Sequence, residues 1–92
     1  MPKYVAMLEF TDDKDVIGRA RPAHREYLQA LLDNGKVWMS GPWTDDTGAM
    51  LIFEVENLAE AERMLAEDPY QDAGVVTASR VKEWRMVFGP TG

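Results

Sequence analysis

Apolar residues recur along this chain at two different spacings, and the order in which those spacings alternate admits few folds. Tyr4, Ala6, Leu8 and Phe10 fall on every second position, the period a strand imposes, and the polar cluster Thr11-Asp12-Asp13-Lys14-Asp15 ends the run. Tyr27, Leu28, Leu31 and Leu32 return at helical spacing as far as Asn34-Gly35, a C-terminal stop. Pro22 is expected at the first helical position, where its missing N–H costs nothing. Gly18 and Pro22 both oppose one continuous helix, so Val16 to Ala20 reads as a separate helical turn. Lys36 to Ser40 is a second strand closed by a Gly41-Pro42 turn, Thr44 to Gly48 a hairpin loop, and Ala49 to Val55 a third strand. Leu58, Ala61 and Leu65 mark a second helix to Glu67, stopped by Pro69, whose predecessor Asp68 is biased away from helical geometry. Val75 to Phe88 is the last strand, and Gly89 to Gly92 a tail.

The order β-α-β-β-α-β with short links predicts an α+β fold of the ferredoxin-like type, an antiparallel sheet with both helices on one face. Its 92 residues suit a single domain spanning 1–92. A chain this short gains from an added stabiliser, and without cysteine it has no disulfide to offer. The strands are apolar on both sides: Val5 and Met7 of the first occupy the face opposite Tyr4, Ala6, Leu8 and Phe10. A half-solvated antiparallel sheet alternates more cleanly, so the face away from the helices is expected to be covered by a second copy around a two-fold axis, giving a homodimer. A net charge of −6 opposes a sequence-independent grip on nucleic acid or an anionic bilayer. No run reaches a spanning length and the N-terminus lacks a targeting pattern, so a cytoplasmic protein is expected. With one histidine and no cysteine, no structural metal site is expected.

In this topology the start of the first helix, the Ser40-Gly41-Pro42 turn and the end of the second helix share one edge of the domain. His24, in the first turn of the first helix, and Asp68, at the end of the second, are therefore predicted neighbours. His24, Leu28, Leu31 and Leu32 follow one helical face, and Asp68 continues the Leu58, Ala61, Leu65 stripe, so both side chains are expected to point inward. A carboxylate at a helix C-terminus and an imidazole at an N-terminus both work against the helix dipole, and residues that break local rules are candidates for function. A carboxylate beside an imidazole fixes its tautomer and leaves the second ring nitrogen available as acid or base.

Arg21 shares the face of His24 and is expected either to hold an anionic substrate oxygen or to pair with Asp68. His24 alone reads equally as a packed histidine bonded to a backbone carbonyl, and Asp68 alone as the cap of an Asp-Pro turn. Ser40 suits a tight turn, and as a nucleophile it would need His24 within reach. Trp38, Trp43, Tyr27 and Tyr70 read first as core or dimer packing, with Tyr70, beside Asp68-Pro69, also a substrate-binding candidate. Asp12, Asp13 and Asp15, and the pair Asp45-Asp46, read as solvated loops without calcium-loop spacing.

Arg21-Pro22-Ala23-His24, the leucine-rich helix to Asp33-Asn34-Gly35, Ser40-Gly41-Pro42, Ala66-Glu67-Asp68-Pro69-Tyr70 and Ala73-Gly74-Val75, taken in this order, resemble the YciI-like (YCII-related) family. The resemblance implies a dimeric α/β-barrel with a pocket in each subunit and a histidine-aspartate site on His24 and Asp68, with Arg21, Ser40 and Gly41 nearby. It also implies a lyase or isomerase that needs no cofactor and acts on a small hydroxylated ring, for example by eliminating HCl from a chlorinated hydroxyhydroquinone in aromatic degradation. A non-catalytic ligand-binding dimer with a structural pair and a cofactor-free oxygenase are the rival readings.

Overall fold

The computed structural model describes residues 1–90, so Thr91 and Gly92 of the expected tail lie outside the described residues. The elements run β1 (Lys3–Phe10), α1 (Lys14–Asp33), β2 (Val37–Pro42), β3 (Gly48–Glu54), α2 (Leu58–Ala66), α3 (Pro69–Asp72) and β4 (Val76–Trp84). The four strands form one antiparallel sheet in the order β2-β3-β1-β4, the ferredoxin-like arrangement.

One face of the sheet carries the core. Tyr4, Ala6 and Leu8 of β1 and Ala49, Leu51 and Phe53 of β3 are buried against Ala61, Met64 and Leu65 of α2, with Leu28 and Leu31 of α1 packed alongside. A second cluster joins Ile17 to Tyr70 and Val75, with Phe10 packed on it, and ties the N-terminal half of α1 to α3. The other face stays open. Met7 and Trp84 are exposed there, beside Val5, Met50 and Ile52, which line a hollow of about 500 Å³. Among the described residues no helix is long and apolar enough to cross a membrane.

Four local expectations change. First, α1 does not begin at Pro22. Asp13 caps it, accepting the N–H groups of Asp15 and Val16, and the helix runs without a break through Gly18 and Pro22. An internal proline costs about 3 kcal/mol by removing one backbone bond and crowding the carbonyl four residues earlier. Burial of Ile17 on one side of it and packing of Leu28 and Leu31 on the other hold its two halves to two clusters that Phe10 and Val76 join. Second, Ser40-Gly41-Pro42 is not a turn: these residues extend β2 and pair with Leu51, Met50 and Ala49. β2 is an edge strand, where a proline without an N–H is tolerated. Third, Pro69 does more than stop α2; it opens the short helix α3, with Asp68 as the cap. Fourth, β4 ends at Trp84, which is opposite Lys3, the first residue of β1, and Val87 and Phe88 are exposed beyond it.

The hairpin between β2 and β3 closes on Gly48. A Cβ there would sit 2.0 Å from the Leu8 carbonyl oxygen, so only glycine lets β3 approach β1 at this point.

Candidate active site

Arg21, His24, Arg25 and Leu28 recur at i, i+3, i+4 and i+7 and so share one face of α1. That face looks across a cavity of about 210 Å³ toward Ser40 of β2 and Leu51 of β3, with Tyr70 closing one end. The larger hollow on the open face of the sheet holds none of the candidate residues.

His24 Nδ1 lies 2.8 Å from Oδ1 and 2.9 Å from Oδ2 of Asp68. Asp68 is only 2% exposed, and its Oδ1 also accepts the Tyr70 backbone N–H at 2.9 Å. A buried carboxylate needs such partners, because desolvation without them is costly. An ionised carboxylate only accepts, so Nδ1 is the donor and Nε2 is the unprotonated nitrogen of the neutral ring. Among the described residues every buried side-chain polar atom has a partner, so Nε2, which has none, is an atom that reaches solvent at the cavity.

Tyr70 touches every member of the group. Its ring stacks on the imidazole with centroids 3.7 Å apart and planes 2° from parallel, and Phe10 meets its other side edge-on at 5.4 Å. Its hydroxyl accepts the Arg21 Nε–H at 3.2 Å. Arg21 Nη2 also lies 3.6 Å from Oδ1 of Asp46 in the hairpin loop, at a φ of 63° that aspartate tolerates better than most residues. The Tyr70 hydrogen bond first, and the Asp46 charge after it, hold the Arg21 guanidinium above its ordinary pKa against partial desolvation. Behind the site the Tyr27 hydroxyl donates to the Met64 carbonyl at 2.6 Å. Burial, with the nearby charges of Glu67 and Asp68, pushes this phenol up to about 12.

The structure thus brings His24, Asp68, Arg21 and Tyr70 together and sets Ser40 and Gly41 on the far wall of the same cavity. Three expectations at this site change. His24 sits in the middle of α1, beyond reach of the partial charge at its N-terminus, and Asp68 caps α3 where a carboxylate is favoured, so neither residue opposes a helix dipole. Arg21 pairs with Asp46 and Tyr70, not with Asp68, and Asp46 is therefore not a purely solvated loop residue. The Ser40-Gly41 segment, expected beside the pair as a turn, is extended, and since successive amides of a strand point to opposite sides it presents no convergent pair to an oxyanion. Sequence reasoning also missed Arg25, although its i+4 spacing from Arg21 was visible. It had no means of finding the Tyr70 stack, which depends on where α3 turns.

A family model described as the YCII-related domain matches residues 3–85, a span that holds every residue of this site. The chain belongs to the YCII-related family. Among curated relatives, the protein YciI of Escherichia coli O6:H1 (strain CFT073) is 37% identical over 78 aligned residues, covering 74% of this chain and 80% of the relative. The uncharacterized protein YjpA of Bacillus subtilis (strain 168) is 32% identical over 63 residues, covering 68% of this chain and 73% of the relative. Among solved structures, this YCII-related chain is similar to 5-chloro-2-hydroxyhydroquinone dehydrochlorinase (TftG) of Burkholderia phenoliruptrix AC1100, in complex with 2,5-dihydroxybenzoquinone. The TM-score is 0.78 and the identity 28%, over 90% of this chain and 93% of that one. An antibiotic biosynthesis monooxygenase shares the fold alone, at a TM-score of 0.64 and 16% identity over 95% of this chain and 99% of that one.

Proposed function

We propose that this YCII-related protein is a cofactor-independent lyase or isomerase in which His24 Nε2 exchanges a proton with a small hydroxylated ring and Asp68 orients the imidazole. The observation that carries the reading is the Nδ1 bond to both oxygens of a buried carboxylate, which leaves Nε2 without a protein partner on a residue that lines a small cavity. The likeness to a dehydrochlorinase supports elimination of HCl as the specific reaction. With the ring as its keto tautomer, chlorine sits on a tetrahedral carbon. Nε2 takes the proton of an enolic hydroxyl, the O–H electron pair forms a carbonyl, and the displaced ring pair expels chloride. The imidazolium then returns its proton to water. HCl leaves as proton and chloride, and no oxidant or reductant enters the balance. An isomerase would use the same nitrogen to return the proton at a second carbon.

One observation favours a second reading. Asp68 also caps α3, so the pair has structural work whether or not it turns over a substrate. A turnover screen of chlorinated and unchlorinated hydroxyquinols separates the two. On the enzymatic reading, wild type releases chloride or rearranges the ring, and His24→Asn, folded as judged by circular dichroism, loses the activity by at least the roughly 10²–10⁴-fold that general acid-base catalysis supplies. Full activity in His24→Asn, or a melting temperature that falls with no wild-type turnover to lose, supports the structural reading instead.

The reading also takes the protein to be a single domain acting in the cytoplasm as a homodimer. The exposed Met7 and Trp84 on the open sheet face support the dimer, since a second copy would remove them from water.

A further inference from the structure

Every charged side chain that lines the cavity is basic. They are Arg21 and Arg25, and no carboxylate lines the wall, although the chain as a whole carries 16 acidic residues against 10 Lys and Arg. Asp68 is sealed behind the imidazole, and Asp46 holds the outer side of Arg21 without reaching the lining. Arg21 and Arg25 stand at i and i+4, a spacing at which like charges repel along a helix. Arg21 is partnered by Asp46 and Tyr70. Arg25 has no ion pair or side-chain hydrogen bond among the described residues. An acidic protein has carboxylates to spare for such a guanidinium, and among the described residues none lies within ion-pair distance of it.

We infer that the cavity is built for a single ring bearing a delocalised oxyanion, and that Arg25 is the residue that selects it. The volume of about 210 Å³ falls below the roughly 300 Å³ at which sites for drug-sized ligands begin, which confines the occupant to one ring and its substituents. Phe10, Leu28, Leu51 and Tyr70 supply the apolar wall such a ring requires. The oxyanion lies at the Arg25 end, where a planar guanidinium meets two oxygens of a carboxylate or the conjugated oxygens of a hydroxyquinone with equal ease. This assignment deepens the acid-base reading, since it concerns the same cavity. It also offers the charge stabilisation that the extended Ser40-Gly41 segment lacks.

Binding tests the inference without any turnover. The probes are 2,5-dihydroxybenzoate, whose charge is a carboxylate, 2,5-dihydroxybenzoquinone, whose charge is an enolate, and methyl 2,5-dihydroxybenzoate, which is neutral and differs from the first by a methyl group. Titration calorimetry on the intact protein is expected to show at least one anion binding about tenfold to a hundredfold more tightly than the ester, the scale of a charge-assisted hydrogen bond. Whichever anion gains more identifies the source of the charge. Arg25→Met should remove most of the preference, Arg25→Lys should restore part of it, and added salt should weaken the anions alone. Arg25 is exposed, so these variants are expected to fold as wild type does. Equal binding of both anions and the ester, or an anion preference untouched by Arg25→Met, overturns the inference and leaves the role of His24 to its own kinetic test. Conversely, an active His24→Asn enzyme that still prefers anions removes the acid-base reading and keeps the anion site.

Discussion

Asp68 serves two neighbours with one carboxylate: Oδ1 and Oδ2 receive the His24 imidazole, and Oδ1 also caps Tyr70 at the start of α3. The two duties separate by substitution. Asparagine is as good a helix cap as aspartate, so Asp68→Asn should keep the α3 bond while removing the charge that fixes the histidine tautomer. Its stability in urea should stay close to wild type while turnover falls by a hundredfold or more. Asp68→Ala loses the cap as well, at about 1 kcal/mol, and leaves the Nδ1 donor without its acceptor at a further cost of about 1–3 kcal/mol. If both variants lose stability equally and activity not at all, the pair is structural. The meeting of His24 with Asp68 was legible in the sequence, because the order of elements brings the two to one edge and the helical spacing turns His24 inward. The reason offered for their being unusual was not sound. It rested on helix ends that the chain places elsewhere, at Asp13 and at Asp68 itself.

At the scale of elements, strands and helices followed from periodicity, and their ends did not. Pro22 illustrates why: its local cost is fixed, but the burial of Ile17 and the packing of Leu28 and Leu31 are long-range terms that no window along the chain reports. The Gly41-Pro42 pair is a turn signal by composition and a strand end by position, since only the strand order shows that β2 lies at an edge. α1 and α2 are joined behind the site by the Tyr27 hydroxyl bonded to the Met64 carbonyl. The folded state raises this phenol from 10.0 to about 12, so it favours the protonated form. The stability this contributes is fully present below pH 10 and is lost as pH rises through about 12. Urea unfolding across that window should show Tyr27→Phe losing less stability than wild type. Parallel decline of the two proteins would mean that the hydroxyl is not held as described.

For the molecule as a whole, the two faces of the sheet divide the work. One buries the core and shapes the cavity, while the other leaves Met7 49% exposed above a broad apolar hollow. If a second copy covers that face, Met7→Glu should yield a monomer in light scattering, because a carboxylate at the two-fold interface would be desolvated. Arg80 stands opposite Met7 on β4 and can pair with the new charge, so the subunit should still fold. An unchanged dimer would place the interface elsewhere. The pattern of β1, apolar on both sides, announced this face in the sequence, while the basic lining of the cavity emerged only when α1 was seen to carry Arg21, His24 and Arg25 together.

Asp68 holds His24 with Nδ1 protonated and leaves Nε2 without a protein partner. His24 is the only histidine, so a nitrogen-15 NMR spectrum of the side chain contains a single imidazole. With the ring neutral, the proton is expected on Nδ1, with Nε2 unprotonated, and that preference is expected to be lost in Asp68→Ala. A proton resident on Nε2 in the wild-type protein would contradict it.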